Sequence, residues 1–260
     1  IRLSTTDILF ENENFIAINK KSGWVVHQTL DKSRPNLFSA LQSFIKQRDR
    51  LVETPYLTLH HRLDLETSGI ILFGKTKESN KVLADVFENK KATKIYHAIC
   101  TTSEYLPAEP GVMEDFLKKQ KIGKIEMMTA VKAGGQKTIT KFKVLKTLKS
   151  LSLIEFTLVT GRMHQIRVQS SNRNFPILGD SLYGNHEINK KYHCDNQGQL
   201  LHATSFEFFD TLSNENILIK SKPPFSLDDL PPPHTPKNKT YILFNKPYNV
   251  LCQFTKENDS

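Results

Sequence analysis

The chemistry-bearing residues crowd into two short stretches. The first is His60-His61-Arg62-Leu63-Asp64-Leu65-Glu66-Thr67-Ser68-Gly69, which runs straight into the apolar Ile70-Ile71-Leu72-Phe73. Polar side chains packed just ahead of a buried strand predict a loop at a sheet end, a favoured place for binding and catalytic groups. Asp64 there could serve as a nucleophile, a base, a metal ligand or a plain turn former. Gly69 would let backbone approach closely or take a positive φ. The second stretch, Thr160-Gly161-Arg162-Met163-His164-Gln165-Ile166-Arg167, follows an apolar strand and reads as a turn opening a helix. His164, Arg167 and Val168 would share a face of that helix, and an arginine near its start suits a phosphate or carboxylate. The plainer alternative is a solvated helix with a surface arginine. His186, His193, Cys194 and His202 are zinc-competent types, but their spacing matches no compact ligand set, so no metal site is expected. His202, within Leu200-Leu201-His202-Ala203, reads as a packed, hydrogen-bonded histidine. The sequence has no Gly-rich phosphate loop, dinucleotide fingerprint or Ser-centred nucleophile elbow.

The elements that must position these residues are mixed. Ile8-Leu9-Phe10, the polar Glu11 to Asn14, and Phe15 to Ile18 predict strand, turn and strand. Leu37, Phe38, Leu41, Phe44 and Ile45 recur at helical spacing within 36–49, and Val82, Leu83, Val86 and Phe87 do so within 78–90. Gly69 to Phe73 predicts a short buried strand. Lys94 to Cys100 predicts a strand with Ile95 and Ile99 on one face and Tyr96 and Ala98 on the other. Residues 138–147 and 151–159 predict a hairpin closed near Lys149-Ser150. Strands and helices do not alternate regularly, which favours an α+β fold with a mixed, largely antiparallel sheet flanked by helices over a doubly wound one.

The 260 residues carry 36 Lys and Arg against 27 Asp and Glu, a formal charge of +9. Residues 81–149 hold 14 Lys and 7 acids, so 14 − 7 = +7 of that excess lies there. Such a run is either a solvated surface or a face that neutralises phosphates. No apolar run approaches the roughly 18–20 residues of a membrane span. The 3 cysteines exclude a disulfide scaffold and suggest a reducing compartment. The chain starts at Ile1, which reads as a trimmed or partial sequence. Six of the 12 prolines fall in 221–240, read as a linker. After it, Phe244-Asn245-Lys246 to Thr255 echoes Ile18-Asn19-Lys20 to Thr29. The expected division is therefore a domain over 1–220, a linker over 221–240, and an extension or truncated second domain over 241–260.

Taken in chain order, several pieces resemble the RluA-type pseudouridine synthase family. They are His61-Arg62-Leu63-Asp64 with Thr67-Ser68-Gly69; Lys94-Ile95-Tyr96; Thr160-Gly161-Arg162 with His164-Gln165-Ile166-Arg167; Pro176 to Asp180 with Tyr183-Gly184; and Leu200 to Ala203. Asn19 to His27 resembles the family's opening segment, with Lys21 where proline is usual. Residues 241–255 resemble the first strands of the sister RsuA-type branch. The resemblance implies the pseudouridine synthase fold and isomerisation of uridine to pseudouridine in structured RNA, ribosomal or transfer. By motif position Asp64 matches the catalytic aspartate, Tyr96 the tyrosine that stacks on the target base, and Arg167 the basic partner of the aspartate. Arg62 matches a residue that holds the flipped-out nucleotide, and Arg162, His164 and Lys94 are further RNA-binding candidates. An isomerisation without net redox change or group transfer needs no cofactor and no metal. A cytoplasmic monomer without membrane association is expected. Two other readings compete: an inactive RNA-binding homologue, and a metal-dependent hydrolase built on His60, His61, Asp64 and His164.

Overall fold

The structure is a computed structural model describing residues 1–232 apart from 30, 32, 103–105, 107–108 and 124. Along the chain the strands and helices are β1 (Ile8–Glu11), β2 (Phe15–Lys20), α1 (Leu37–Arg48), β3 (Ser68–Gly74), α2 (Lys77–Glu88), β4 (Thr93–Thr101), β5 (Gly111–Ile122), β6 (Ile125–Ala130), β7 (Gln136–Leu148), β8 (Leu151–Leu158), α3 (Gln165–Ser171), α4 (His186–Lys191), β9 (Leu201–Asp210) and β10 (Glu215–Lys220). Among the described residues the strands form one sheet in the order β1-β2-β3-β9-β4-β8-β7-β5-β6, with β10 also paired to β9. The β3–β9 contact is parallel and the other pairings are antiparallel. The expected α+β architecture with a mixed, mainly antiparallel sheet is what forms.

β3 is buried along its full length, which is why its sequence is a continuous apolar run rather than an alternation. Its side chains divide between two cores. Ile71 and Phe73 join Ile16 and Ile18 of β2 and Leu37, Leu41 and Ile45 of α1, while Ile70 and Leu72 join Phe15, Ala17 and Val82, Leu83 and Val86 of α2 on the other face. Each helix begins at a polar cap: Asn36 accepts from the Ser39 N–H and Thr76 from the Ser79 N–H. On β4, Tyr96 and Ala98 enter the first core, and Ile99 points to a third formed with Leu151, Leu178 and Tyr192. That is the face assignment expected from alternation.

One stretch lies outside the elements predicted from the sequence, and another departs from the expectation. Residues 111–130 carry no readable period, yet they form β5 and β6. Their inward face mixes Met113, Asp115 and Leu117, and Asp115 is satisfied there by Arg173 and Gln169. A polar residue on the core face hides the alternation. The proline-rich stretch beginning at 221 starts as part of the packed body. Ser221 is buried against His202, and Leu227 inserts into the third core with Phe225 and Leu230 against it. The resemblance at 241–260 and the end of the linker lie outside the described residues. No described helix is long and apolar enough to cross a membrane.

The parallel junction is the tightest point. Gly69 pairs with Ala203, has φ +111, and would place a Cβ on the Ala203 backbone. Gly69→Ala is expected to cost at least about 3 kcal/mol, the high end for one substitution. An unchanged denaturant midpoint would show that the β3–β9 contact is not this close.

Candidate active site

Asp64 sits in the loop that feeds β3, and that loop is tied down at several points. The Thr67 N–H donates to the Asp64 carbonyl at 3.2 Å, closing a turn around the side chain. Leu63 is buried beneath it. Ser68 hydrogen-bonds His202 Nδ1 at 2.8 Å, and His202 Nε2 meets Ser221 at 2.9 Å. His202 is thus the packed, bonded histidine expected; burial lowers its pKa to about 4, so it stays neutral.

Arg167 reaches Asp64 from α3. Its Nη1 donates to Asp64 Oδ2 at 2.9 Å, while Nε and Nη2 donate to Asp180 Oδ2 and Oδ1 at 2.7 and 3.0 Å. A planar guanidinium used in this way has its orientation fixed by the bidentate partner. Asp180 is itself held, accepting from the Leu182 and Tyr183 N–H groups at 2.9 Å each. Burial works against the Asp180 charge, but Arg167 and these N–H donors outweigh it and keep its pKa below the usual carboxylate value. The surface-arginine alternative does not hold, because the Arg167 side chain is 7% exposed. Tyr183 stacks under the guanidinium at 5.2 Å and hydrogen-bonds His164 Nδ1 at 3.0 Å.

α3 is buried on nearly every side, and His164 precedes it in a left-handed conformation (φ 54). Arg167 meets Asp64 as the resemblance implied, and His164 comes to the same carboxylate, with Nε2 3.8 Å from Oδ2. Val168 does not share that face; it packs with Leu117 of β5 and Met128 of β6. The turn before the helix is fixed by Gln165, whose Oε1 accepts from Thr160 Oγ1 and the Arg162 N–H and whose Nε2 donates to the Ile139 carbonyl and Thr140 Oγ1. Gln165 is a positioning group that carries no chemistry of its own.

One functional residue escaped the sequence reading. Lys20 is fully buried at the end of β2, and its Nζ donates to the carbonyls of Lys21, Trp24 and Leu65 at 3.2, 2.9 and 2.8 Å. Leu65 follows Asp64, so the ammonium pins the Asp64 loop to the segment 21–24; the Gly23 N–H donates to the same carbonyl at 2.9 Å. Burial lowers the Lys20 pKa from 10.5 to about 8, and the nearby Asp64 charge opposes that shift. Nothing in the sequence separates Lys20 from Lys21, which is exposed and pairs with Asp7. Only the strand alternation, which turns position 20 inward after Ile18, carries a signal.

A cavity of about 390 Å³ opens over this array, lined by Asp64, Tyr96, Arg167, Arg62, Arg162, His164 and Lys94. All seven candidate residues thus border one space. Tyr96 lies on β4 with its ring largely buried; burial, and then the Asp64 charge, raise its pKa, so the phenol stays neutral. Arg62 and Arg162 are exposed at the rim. Lys94 reaches over the Phe87 ring at 5.8 Å, and its pKa is lowered by burial. His61 is half-buried, accepts from the Leu72 N–H at 2.9 Å, and stacks on Phe87; desolvation by the surrounding protein drops its pKa to about 3. His60 is engaged by Asn80 Oδ1 at 2.7 Å. These two histidines serve packing, and among the described residues no three His, Cys, Asp or Glu side chains lie close enough to hold a metal ion. The hydrolase alternative loses its ligand set.

The lysine run sits mostly elsewhere. Lys118, Lys119, Lys137, Lys141, Lys143 and Lys146 belong to β5 and β7, and among the described lysines of that run Lys90 and Lys94 line the cavity. Lys119, Lys137 and Lys146 pair with Glu126, Glu114 and Asp228.

Residues 14–172 match the family described as RNA pseudouridylate synthase. The chain is 34% identical over 231 residues to the ribosomal large subunit pseudouridine synthase C of Rickettsia felis, covering 88% of this chain and 71% of that one. It is 30% identical over 224 residues to the ribosomal large subunit pseudouridine synthase D of Neisseria meningitidis, covering 84% and 58%. Among solved structures it is similar to the human RNA pseudouridylate synthase domain containing 4, with a TM-score of 0.68, 25% identity, and 85% and 89% coverage.

The Lys20 clasp has a measurable signature. Between about pH 8 and 10.5 the unfolded chain keeps a proton that folded Lys20 has released, so this group makes stability rise with pH across that window and adds no slope below it. Relative to Lys20→Met, the wild type should gain on the order of 3 kcal/mol over the window. Parallel stability–pH curves for the two proteins would refute the buried ammonium.

Proposed function

The chain belongs to the RluA-type RNA pseudouridylate synthase family, and on that premise we propose that Asp64 is the residue that acts on the target uridine and that the RNA is large-subunit ribosomal RNA. The observation that carries the first part is the Asp180–Arg167–Asp64 array at the wall of a cavity that also holds Tyr96. The second part is supported by the two bacterial relatives, which by name act on the large ribosomal subunit.

The reaction breaks the bond between N1 of uracil and C1′ of the ribose, turns the base, and joins C5 to C1′. The C5 proton is lost and N1 gains one, so atoms and electrons balance with nothing added. The difficult species is the electron-poor sugar carbon formed as the glycosidic bond breaks. A carboxylate beside it attacks or stabilises it, as in other glycosidic chemistry. Arg167 donates to Asp64 Oδ2 and leaves Oδ1 for the substrate. A uridine in folded RNA has to leave its stack to reach Asp64, and the Tyr96 ring offers a face to receive it. As a neutral phenol, Tyr96 adds no second negative charge next to Asp64. Arg62, Arg162, Lys90 and Lys94 around the mouth suit the phosphates on either side of the flipped nucleotide. The complete array weighs against an inactive RNA-binding homologue.

Asp64→Asn should lower pseudouridine formation by more than about 10³-fold while leaving RNA affinity within about threefold, since phosphate contacts carry the binding. Residual activity near wild type in a single-turnover assay would remove Asp64 from the chemistry. Mapping pseudouridines in total RNA with and without the gene should show one or more lost sites in large-subunit ribosomal RNA, and losses confined to transfer RNA would overturn the substrate assignment. With four cations at the mouth, the log–log salt dependence of RNA binding should have a slope of about −3, and a flat response would remove their role.

A further inference from the structure

His164 is placed unlike an ordinary residue at a helix start. It is the N-cap of α3, yet its backbone is left-handed (φ 54, ψ 17) and its side chain makes no capping hydrogen bond. A residue other than glycine is uncommon in that conformation and persists where its surroundings hold it. Here the Gln165 side chain holds the turn through Thr160, the Arg162 N–H and Thr140. The imidazole is left to face Tyr183 and Asp64. Nδ1 lies 3.0 Å from Tyr183 Oη, which also accepts from the Met128 N–H at 2.8 Å. Nε2 lies 3.8 Å from Asp64 Oδ2, beyond hydrogen-bond length, and the residue borders the cavity.

The isomerisation needs a proton acceptor that the array has not yet supplied. C5 replaces N1 on C1′, so the proton to be removed sits one bond from the carbon on which Asp64 acts. The group that takes it must border the cavity and stand beside Asp64. Among the described residues the basic side chains within ion-pair distance of the Asp64 carboxylate are Arg167 and His164. A guanidinium does not give up its proton, and Tyr96 is held as a neutral phenol. Burial lowers the His164 pKa from the ordinary 6.5. The Asp64 and Asp180 charges oppose that shift, and those of Arg167 and Arg62 add to it. The imidazole is therefore neutral at pH 7 and has a lone pair to offer.

We propose that His164 is a second catalytic residue, the base that takes the C5 proton at Nε2 once C5 has joined C1′, with its Nδ1–H donating to Tyr183 Oη. This rests on the isomerase reading above. In the step the C5–H bond breaks and an N–H bond forms on the imidazole. The freed electron pair makes the C5–C6 double bond, the C6–N1 π pair moves to N1, and N1 takes a proton from water. The imidazolium then returns its proton to solvent, so nothing is left over. By that stage the sugar carbon is bonded to C5 and Asp64 is a free carboxylate beside Nε2, which favours the imidazolium. Tyr183 fixes the ring through its other nitrogen, as a hydrogen bond at one imidazole nitrogen sets the role of the other.

The test uses the full chain and the RNA segment in which its pseudouridine is mapped, synthesised with hydrogen or deuterium at C5 of the target uridine. Single-turnover rates are measured for the wild type and for His164→Asn, since asparagine tolerates the left-handed backbone and puts nothing at the Nε2 position. The variant should be slower by at least about 10²-fold, the usual worth of a general base. Its RNA affinity should stay within about threefold, because phosphate contacts carry binding. Its deuterium isotope effect should exceed that of the wild type, because loss of the C5 proton becomes the slow step. A rate within about threefold of wild type would overturn the proposal. So would a slower rate with an unchanged isotope effect, which marks a positioning role alone. If His164→Asn fails to fold, the wild type decides. Its isotope effect should grow as falling pH protonates His164, whereas protonation of Asp64 slows the earlier bond cleavage and leaves that effect unchanged; an isotope effect constant with pH would then overturn the proposal. Absence of isomerisation by the wild type in every RNA would sink the activity itself, whereas isomerisation indifferent to His164 would sink only this inference.

Discussion

The site depends on one buried guanidinium, Arg167, that joins two carboxylates, Asp64 and Asp180. Arg167 supplies the opposing charge, but a buried guanidinium between two partners is itself expensive and needs its donors filled. Asp180 fills two of them, and the Leu182 and Tyr183 N–H groups fill the carboxylate in turn. Lys20 adds a second buried cation, and the Asp64 charge opposes the fall in its pKa. The array therefore holds two cations and two anions. The two carboxylates differ in which faces outward: Asp180 is 1% exposed and Asp64 21%, and Asp64 is the one that lines the cavity.

That balance requires backbone held to within a fraction of an ångström, and the fold supplies it through contacts between segments distant in sequence. The loop carrying Asp64 is bounded by Lys20 and Gly23 on one side and by the Gly69–Ala203 junction on the other. Arg167 is aimed by a short helix whose preceding turn is hydrogen-bonded to β7 through Gln165. Because β3 is covered on both faces, neither the loop nor the junction can relax without disturbing two cores.

Asp64, Tyr96 and Arg167 were legible because each sits in a run of residues with distinctive types at fixed spacing. The buried strand, the two capped amphipathic helices and the β7–β8 hairpin were legible from periodicity. What stayed hidden shares one physical cause, polar groups inside the protein. Lys20 has the same side chain as Lys21, and only burial gives it a role. Asp180 appears in a matching stretch, but its function exists only once Arg167 lies against it. β5 concealed itself by placing Asp115 on its inward face, where Arg173 and Gln169 satisfy it. Val168 was assigned to the wrong neighbours because a buried helix presents partners all round, whereas spacing alone assumes one face.

Charge is divided between two tasks in this chain, and the division bears on how an enzyme of this kind can be both adhesive and selective. The lysines of β5 and β7 lie outside the cavity lining, and several are already paired with acids. They contribute long-range attraction to a polyanion, which salt screens and which reads no sequence. Next to the cavity cations outnumber acids, but Arg167 is oriented by Asp180 and Asp64, so a uridine entering there meets directed groups as well as a positive field. Attraction by the distant lysines brings any RNA to the surface; the cost of unstacking a base and fitting it beside Asp64 then falls on contacts within a few ångströms of that carboxylate. Discrimination must come from those contacts, because the lysine field favours every RNA alike.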